Sequence, residues 1–349
     1  MPHCSPHELA QLGRPQYAVP LKLAAVVPKS TGTDPNAPAG AVNPKLTPMQ
    51  TFAIECYIGA AVEGGYAKNL YEGVEKLERT RTEYDRIAAM RTPNGNIVAP
   101  RYWVIKEVLG PELEQTRGAG EAGFAATFER ALADLAREGP RADIPRWSRL
   151  LATRLSEPTR QTLARNQVDP PSAVGNFLAI RSAMLPVEGA LVRGVTGGEL
   201  KVEPGTMPPI GEPIPFSSSR GTAISTNPVE YLNDTVDYVL GKVNGTHPQH
   251  AGKDAFVLVY PPETVEGVSI LSMGGPAVDA VENHLSVNLG TDGKEYRDPA
   301  IIVSKREVIA SPREDLVVSG IYHVRQRPGL VYLVLGKKGA VPLGEHWED

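Results

Sequence analysis

Three short stretches in the C-terminal half carry polar side chains whose types could act together in one site. Arg193 interrupts an apolar run, three consecutive serines occupy Ser217–Ser219, and Glu307 opens a second apolar run. A guanidinium is a planar and permanently charged donor, a hydroxyl both donates and accepts, and an ionised carboxylate accepts hydrogen bonds. The three stretches are therefore the candidate site residues.

Each stretch also has an ordinary structural interpretation. An arginine in a strand commonly faces solvent or pairs with a carboxylate, and three serines between Pro and Gly commonly form a loop. Glu307 beside Arg306 could equally be a surface charge. The order of the three stretches and their surroundings favour a shared site over three unrelated features.

Taken together, the stretches resemble the R-S-E class of mono-ADP-ribosyltransferases, a family that includes many bacterial toxins. That family has an arginine in its first core strand, often followed by glycine, then a Ser-Thr-Ser type strand followed by a helix, and finally a glutamate that opens a late strand. Arg193–Gly194, Ser217–Ser219 and Glu307–Ile309 match in this order. The resemblance covers residues 187–336, under half of the chain.

The resemblance implies that the substrate is NAD and that no metal is needed. It assigns Glu307 to the positive charge that develops on the ribose, Arg193 to the pyrophosphate or ribose, and Ser217 to orienting the carboxylate. The NAD-binding residues that it implies are Arg193, Gly194, Ser217, Ser218 and Ser219. A protein acceptor is expected, and a nucleic acid acceptor stays open.

The sequence departs from the family pattern in two places. Many members that modify arginine have an acidic residue two positions before the catalytic glutamate, and here that position holds Lys305. Another acceptor, or water, is therefore favoured over arginine. The long separation of Ser219 from Glu307 also indicates an insertion around residues 274–297.

Helical periodicity dominates the N-terminal half, and residues 46–186 are predicted to form an all-helical domain. Thr47 is a predicted N-cap. An apolar stripe predicts a second helix over residues 122–137, with Gly139 as the stop signal that follows it. Further helices are predicted over 147–155 and 173–185. In the resembling family the last of these would complete the NAD cleft.

Short β-branched runs between Gly and Pro turns replace the helical pattern after Pro186. With one helix predicted over 228–243, this order indicates an α+β fold. The resemblance refines residues 187–349 to a mixed, mainly antiparallel, two-sheet domain. Strands are predicted over residues 190–196, 256–260, 268–271, 300–303, 316–322 and 330–335.

Composition excludes several classes of protein. The 36 basic and 40 acidic residues of the 349-residue chain argue against a dedicated nucleic-acid or membrane binder, and no apolar run is long enough to span a bilayer. Cys4 and Cys56 fit reduced thiols, and His247 with His250 is a weak candidate metal pair that a solvated loop explains better.

The first 45 residues have no signal-peptide pattern, and their Pro- and Gly-rich composition predicts a flexible leader. The protein is therefore expected in the cytoplasm where it is made, with a secretion or injection system if it is delivered elsewhere. The leader could bind such a machine or a particle, so a structural or phage cargo protein with a silent fold is one alternative. An NAD glycohydrolase, with water as the acceptor, is the other.

Overall fold

The computed structural model describes residues 46–47, 49–50, 53–54, 57, 108–139, 143–166, 168–246, 250–269, 288–289, 295–296 and 307–348. The predicted leader over residues 1–45 and the predicted strand over 300–303 lie outside these residues. Lys305, His247 and most of the predicted insertion over 274–297 lie outside them as well.

The described part of the N-terminal half is helical. Within it, helices are α1 Gly110–Thr116, α2 Phe124–Glu138, α3 Ile144–Ala152, α4 Glu157–Arg165 and α5 Pro170–Ser182. The predicted helix ending at Gly139 is confirmed as α2, since Gly139 takes a φ of 58° just after its last residue. The predicted N-cap is confirmed too, because Thr47 Oγ1 accepts from the Gln50 amide and the Gln50 side chain accepts from the Thr47 amide.

Three helices that differ from the sequence prediction each have a proline in the first turn. Helix α3 begins at Ile144 rather than at residue 147 and ends at Ala152 rather than at residue 155. Helix α5 begins at Pro170 rather than at residue 173, because the Asp169 side chain caps it and proline fits the first turn of a helix. Helix α4 was not predicted, although Ser156 caps it and a proline again lies in its first turn. In each of these helices proline lies at the start, where it needs no backbone N–H partner.

The C-terminal part forms a sheet whose strands match most of the predicted runs. The strands are β1 Leu185–Pro186, β2 Leu191–Thr196, β3 Ile224–Pro228, β4 Ala255–Tyr260, β5 Val265–Ser269, β6 Asn288–Leu289, β7 Glu295–Tyr296, β8 Val308–Pro312, β9 Leu316–Val324, β10 Leu330–Lys337 and β11 Gly344–Glu348. Helix α6 Gly197–Leu200 follows β2, and helix α7 Leu232–Gly241 follows β3 after a 3₁₀ turn.

Nine of these strands form one mixed sheet in the order β1-β5-β8-β3-β2-β4-β10-β9-β11, while β6 pairs with β7. Most neighbours are antiparallel; β4 with β10 and β9 with β11 are parallel. The sequence predicted two sheets, but β3 hydrogen-bonds to both β2 and β8 and so joins the two halves.

Apolar side chains from both halves of the nine-stranded sheet form one continuous buried cluster. It contains Ile224 and Val308 from one half of the strand order together with Leu258 and Leu333 from the other. In place of the two sheets that the resemblance implied, the described strands therefore form one hydrogen-bonded sheet with a shared apolar cluster.

Helices pack against both halves of the sheet. Helix α7 packs over β2, β4 and β10 in a cluster that contains Val192 and Val236. Helix α5 shares a cluster with Ala223, Val268 and Ile309 of the other half, so the helices and the sheet have a common core. In the part of the chain that the structure describes, no helix has the length and apolar character needed to cross a membrane.

Candidate functional site

The candidate site lies where two neighbouring strands part. Strands β2 and β3 are paired at Leu191–Pro228 and Val192–Asn227. Past this point β2 continues alongside β4, whereas β3 continues alongside β8. A gap therefore opens between the strands, and Arg193 is the first β2 residue beyond the last pair.

Arg193 is held inside this gap. It is only 7% exposed, and its Nη1 donates to the backbone oxygen of Ser225 on the opposite strand at 3.4 Å. The contact bridges the two diverging strands, and it fixes a permanent positive charge at the root of the gap.

Glu307 lies on the other side of β3 from β2, directly before β8. Thr226 of β3 pairs with Val308, which places Glu307 one residue beyond the last described pair of these strands. The Ser225 side chain hydrogen-bonds to the Glu307 carboxyl, and Arg193 is close enough for its charge to act on that group. Arg193 and Glu307, the two charged candidates of the sequence analysis, therefore lie on either side of β3 and interact electrostatically.

Burial dominates the electrostatics of the Glu307 carboxyl. It raises the pKa of Glu307 to about 7, while the hydrogen bond from Ser225 and the charge of Arg193 act in the opposite direction. A carboxyl with a pKa near neutrality beside a guanidinium and a hydroxyl is an arrangement typical of functional sites.

The hydroxyl that hydrogen-bonds to Glu307 belongs to Ser225. The sequence analysis assigned the orientation of this carboxylate to Ser217, and that assignment is corrected to Ser225. Ser217, Ser218 and Ser219 lie in the turns before β3, not in a strand. The Ser217 carbonyl accepts from Tyr260 Oη at 3.1 Å, and Ser218 Oγ exchanges hydrogen bonds with the Ile214 backbone.

These buried serines organise the turn rather than the carboxylate. The Ser218 carbonyl accepts from the Leu316 amide at 2.8 Å, and the Ser219 carbonyl accepts from Thr222 Oγ1 at 2.7 Å. The three backbone carbonyls and the Ser218 hydroxyl therefore hold the segment between α6 and β3 against the sheet.

A signal for Ser225 was present in the sequence. Ser225–Thr226 follows the apolar pair Ala223–Ile224 and leads into the helical residues after Pro228. This is a Ser-Thr strand followed directly by a helix, as in the family pattern, whereas Ser219 is separated from the helix by a further strand. The Thr226 hydroxyl donates to the Val308 carbonyl at 2.7 Å and so anchors β3 to the strand that follows Glu307.

Gly194 has a packing role next to the site. A Cβ on Gly194 would lie 3.0 Å from the Thr235 carbonyl oxygen and 3.0 Å from Val239 Cβ, both on α7. The missing side chain therefore lets α7 lie directly on β2 beside Arg193. No contact in the described residues assigns Gly194 to a ligand.

The helical layer reaches the same part of the sheet. Ile309, which pairs with Ser225, is buried in the cluster formed with α5. Arg181 near the end of α5 lies 3.7 Å from Glu266 of β5. Helix α5, which begins and ends three residues earlier than predicted, thus packs on Ile309 of β8, and its part in an NAD cleft stays a prediction.

Among the described residues, no group of three or more His, Cys, Asp or Glu side chains is placed to hold a metal ion. His250, one member of the candidate metal pair, lies 3.0 Å from Thr196 Oγ1 through its Nδ1.

Comparison of this chain with protein-family models, with curated proteins and with solved structures gave no match.

Proposed function

We propose that the protein is a mono-ADP-ribosyltransferase that uses NAD as its substrate. The observation that carries the proposal is the proximity of Arg193, Ser225 and Glu307 around strand β3. These residues come from three separate strand regions, and their types and order follow the family pattern once Ser225 takes the hydroxyl position.

The reaction breaks the bond between ribose C1′ and the nicotinamide nitrogen. Nicotinamide leaves with the bonding electron pair, and a nucleophile bonds to C1′ and gives up its proton. Positive charge develops on the ribose before the new bond is complete. A fixed carboxylate there stabilises the transition state more than the ground state.

Each side chain has a role that its environment supports. The ionised Glu307 carboxylate stabilises the developing charge and accepts a ribose hydroxyl. Arg193 provides a buried guanidinium for an anionic group, the pyrophosphate of NAD. Ser225 orients the Glu307 carboxylate and favours its ionised form.

The test is release of nicotinamide from NAD by the wild type and by Glu307→Gln. Loss of one such electrostatic contact reduces turnover by about 100- to 1,000-fold, so we expect the variant to fall at least that far. Glu314→Gln is the matched control, because Glu314 lies in the next turn and pairs at the surface with Lys337 at 2.7 Å. Equal turnover by the wild type and Glu307→Gln would refute the proposal.

Lys305 makes an NAD glycohydrolase the second candidate, since the acidic residue of arginine-modifying members is missing there. NAD labelled in its adenylate part, incubated with the protein and a cell lysate, separates the two functions. Labelled protein supports transfer to a protein acceptor and labelled nucleic acid supports transfer to that acceptor. Free ADP-ribose alone supports hydrolysis, and unchanged NAD supports a structural or cargo protein.

A further inference from the structure

One buried polar group beside the site is left without a partner. Asn227 is 5% exposed, and its Oδ1 has no hydrogen-bond partner among the residues that the structure describes. Buried amide oxygens are normally satisfied, because leaving one unpaired is unfavourable. An unpaired acceptor at a candidate site therefore points to a donor that a ligand supplies.

The position of Asn227 ties it to the site. Asn227 pairs with Val192, the residue before Arg193, in the last β2–β3 pair before the strands part. Strand β3 also pairs with β8, on the side away from β2, and there Thr226 pairs with Val308. The next residues that face each other are Asn227 on β3 and Glu307, which directly precedes β8.

Strand alternation puts the Asn227 side chain on the face that holds the carboxylate. Residues two apart in a strand project from the same face, and Ser225 on that face hydrogen-bonds to Glu307. Facing residues of an antiparallel pair have Cβ atoms about 4.5–5.5 Å apart. The Asn227 amide and the Glu307 carboxylate therefore form two neighbouring acceptors.

Two neighbouring acceptors suit two neighbouring hydroxyl donors. The ribose attached to nicotinamide carries such a vicinal diol. We propose that Asn227 accepts one of its hydroxyls while Glu307 accepts the other, so that the site selects a ribose with both hydroxyls. This inference rests on the proposed function and adds a substrate-binding residue to it.

The test compares the wild type with Asn227→Leu, which keeps the approximate size of the side chain and removes its hydrogen-bonding groups. The substrates are NAD and its two analogues that each lack one hydroxyl on the nicotinamide ribose. We expect Asn227→Leu to raise the KM for NAD by about 3- to 10-fold, the effect of one neutral hydrogen bond. For one analogue, the KM of the wild type should be raised by the same factor, and Asn227→Leu should not raise the KM for that analogue further.

The thermal midpoint without ligand excludes a merely structural role. Since Asn227→Leu removes an unsatisfied oxygen, its midpoint should equal or exceed that of the wild type. A lowered midpoint, or equal KM values for the variant and the wild type on all three substrates, would overturn the role of Asn227 and leave the proposed function standing. If the wild type does not cleave NAD at all, the proposed function itself is refuted and this inference with it.

Discussion

At the scale of single residues, the Glu307 carboxyl links the stability of the protein to pH. Its pKa of about 7 in the folded protein lies above the ordinary value of 4.5, because burial disfavours the ionised form. The folded protein therefore holds this proton more tightly than the unfolded chain does. The resulting stabilisation is fully present below the unfolded pKa and is lost as the pH rises to about 7.

We therefore predict that Glu307→Gln, which cannot ionise, gains stability relative to the wild type as the pH rises from 5 to 8. The shift corresponds to about 3 kcal/mol in the free energy of unfolding at most. Urea unfolding of both proteins at the two pH values measures the difference. A difference that is the same at pH 5 and pH 8 would show that Glu307 is not held in this way.

At the scale of elements, the close contact between β2 and α7 depends on Gly194. We predict that Gly194→Ala destabilises the protein by about 1–3 kcal/mol, because its Cβ would press on the Thr235 carbonyl and Val239. Gly198→Ala is the control, since the nearest atoms to a Cβ there are 3.8 Å away. Thermal unfolding of both variants gives the comparison, and equal midpoints would contradict the packing described for Gly194.

Elements with a strong local signal were predictable from the sequence, and those defined by pairing were not. The apolar stripe and the terminal glycine define α2, and continuous β-branched runs define β4, β9 and β10. Strand β3 has a mixed sequence, Ile-Ser-Thr-Asn-Pro, and becomes a strand because β2 and β8 flank it. Missing β3 led the interpretation to Ser217 instead of Ser225.

At the scale of the whole molecule, the candidate site lies where two strands of one sheet, β2 and β3, part. The sequence predicted a helical part followed by a mixed sheet and singled out Arg193 and Glu307. It could not predict that β3 would join the two halves of the strand order or that the helices would share a core with the sheet through Ile309. Such features depend on contacts between residues far apart in the chain, which local patterns do not encode.

The proposed function requires that Ser225 act through Glu307 in one NAD-cleaving site, and a double-mutant cycle on nicotinamide release tests this most directly. Ser225→Ala should reduce turnover and move its pH dependence upward, because the hydrogen bond that favours ionised Glu307 is lost. In the Glu307→Gln background, Ser225→Ala should cause no further loss of turnover, since the effects of substituting residues that act as a unit are not additive. Ser217→Ala, which removes a hydroxyl from the turn, should leave the pH dependence unchanged. Full additivity of the two losses, or a pH shift in Ser217→Ala instead of Ser225→Ala, would contradict the account.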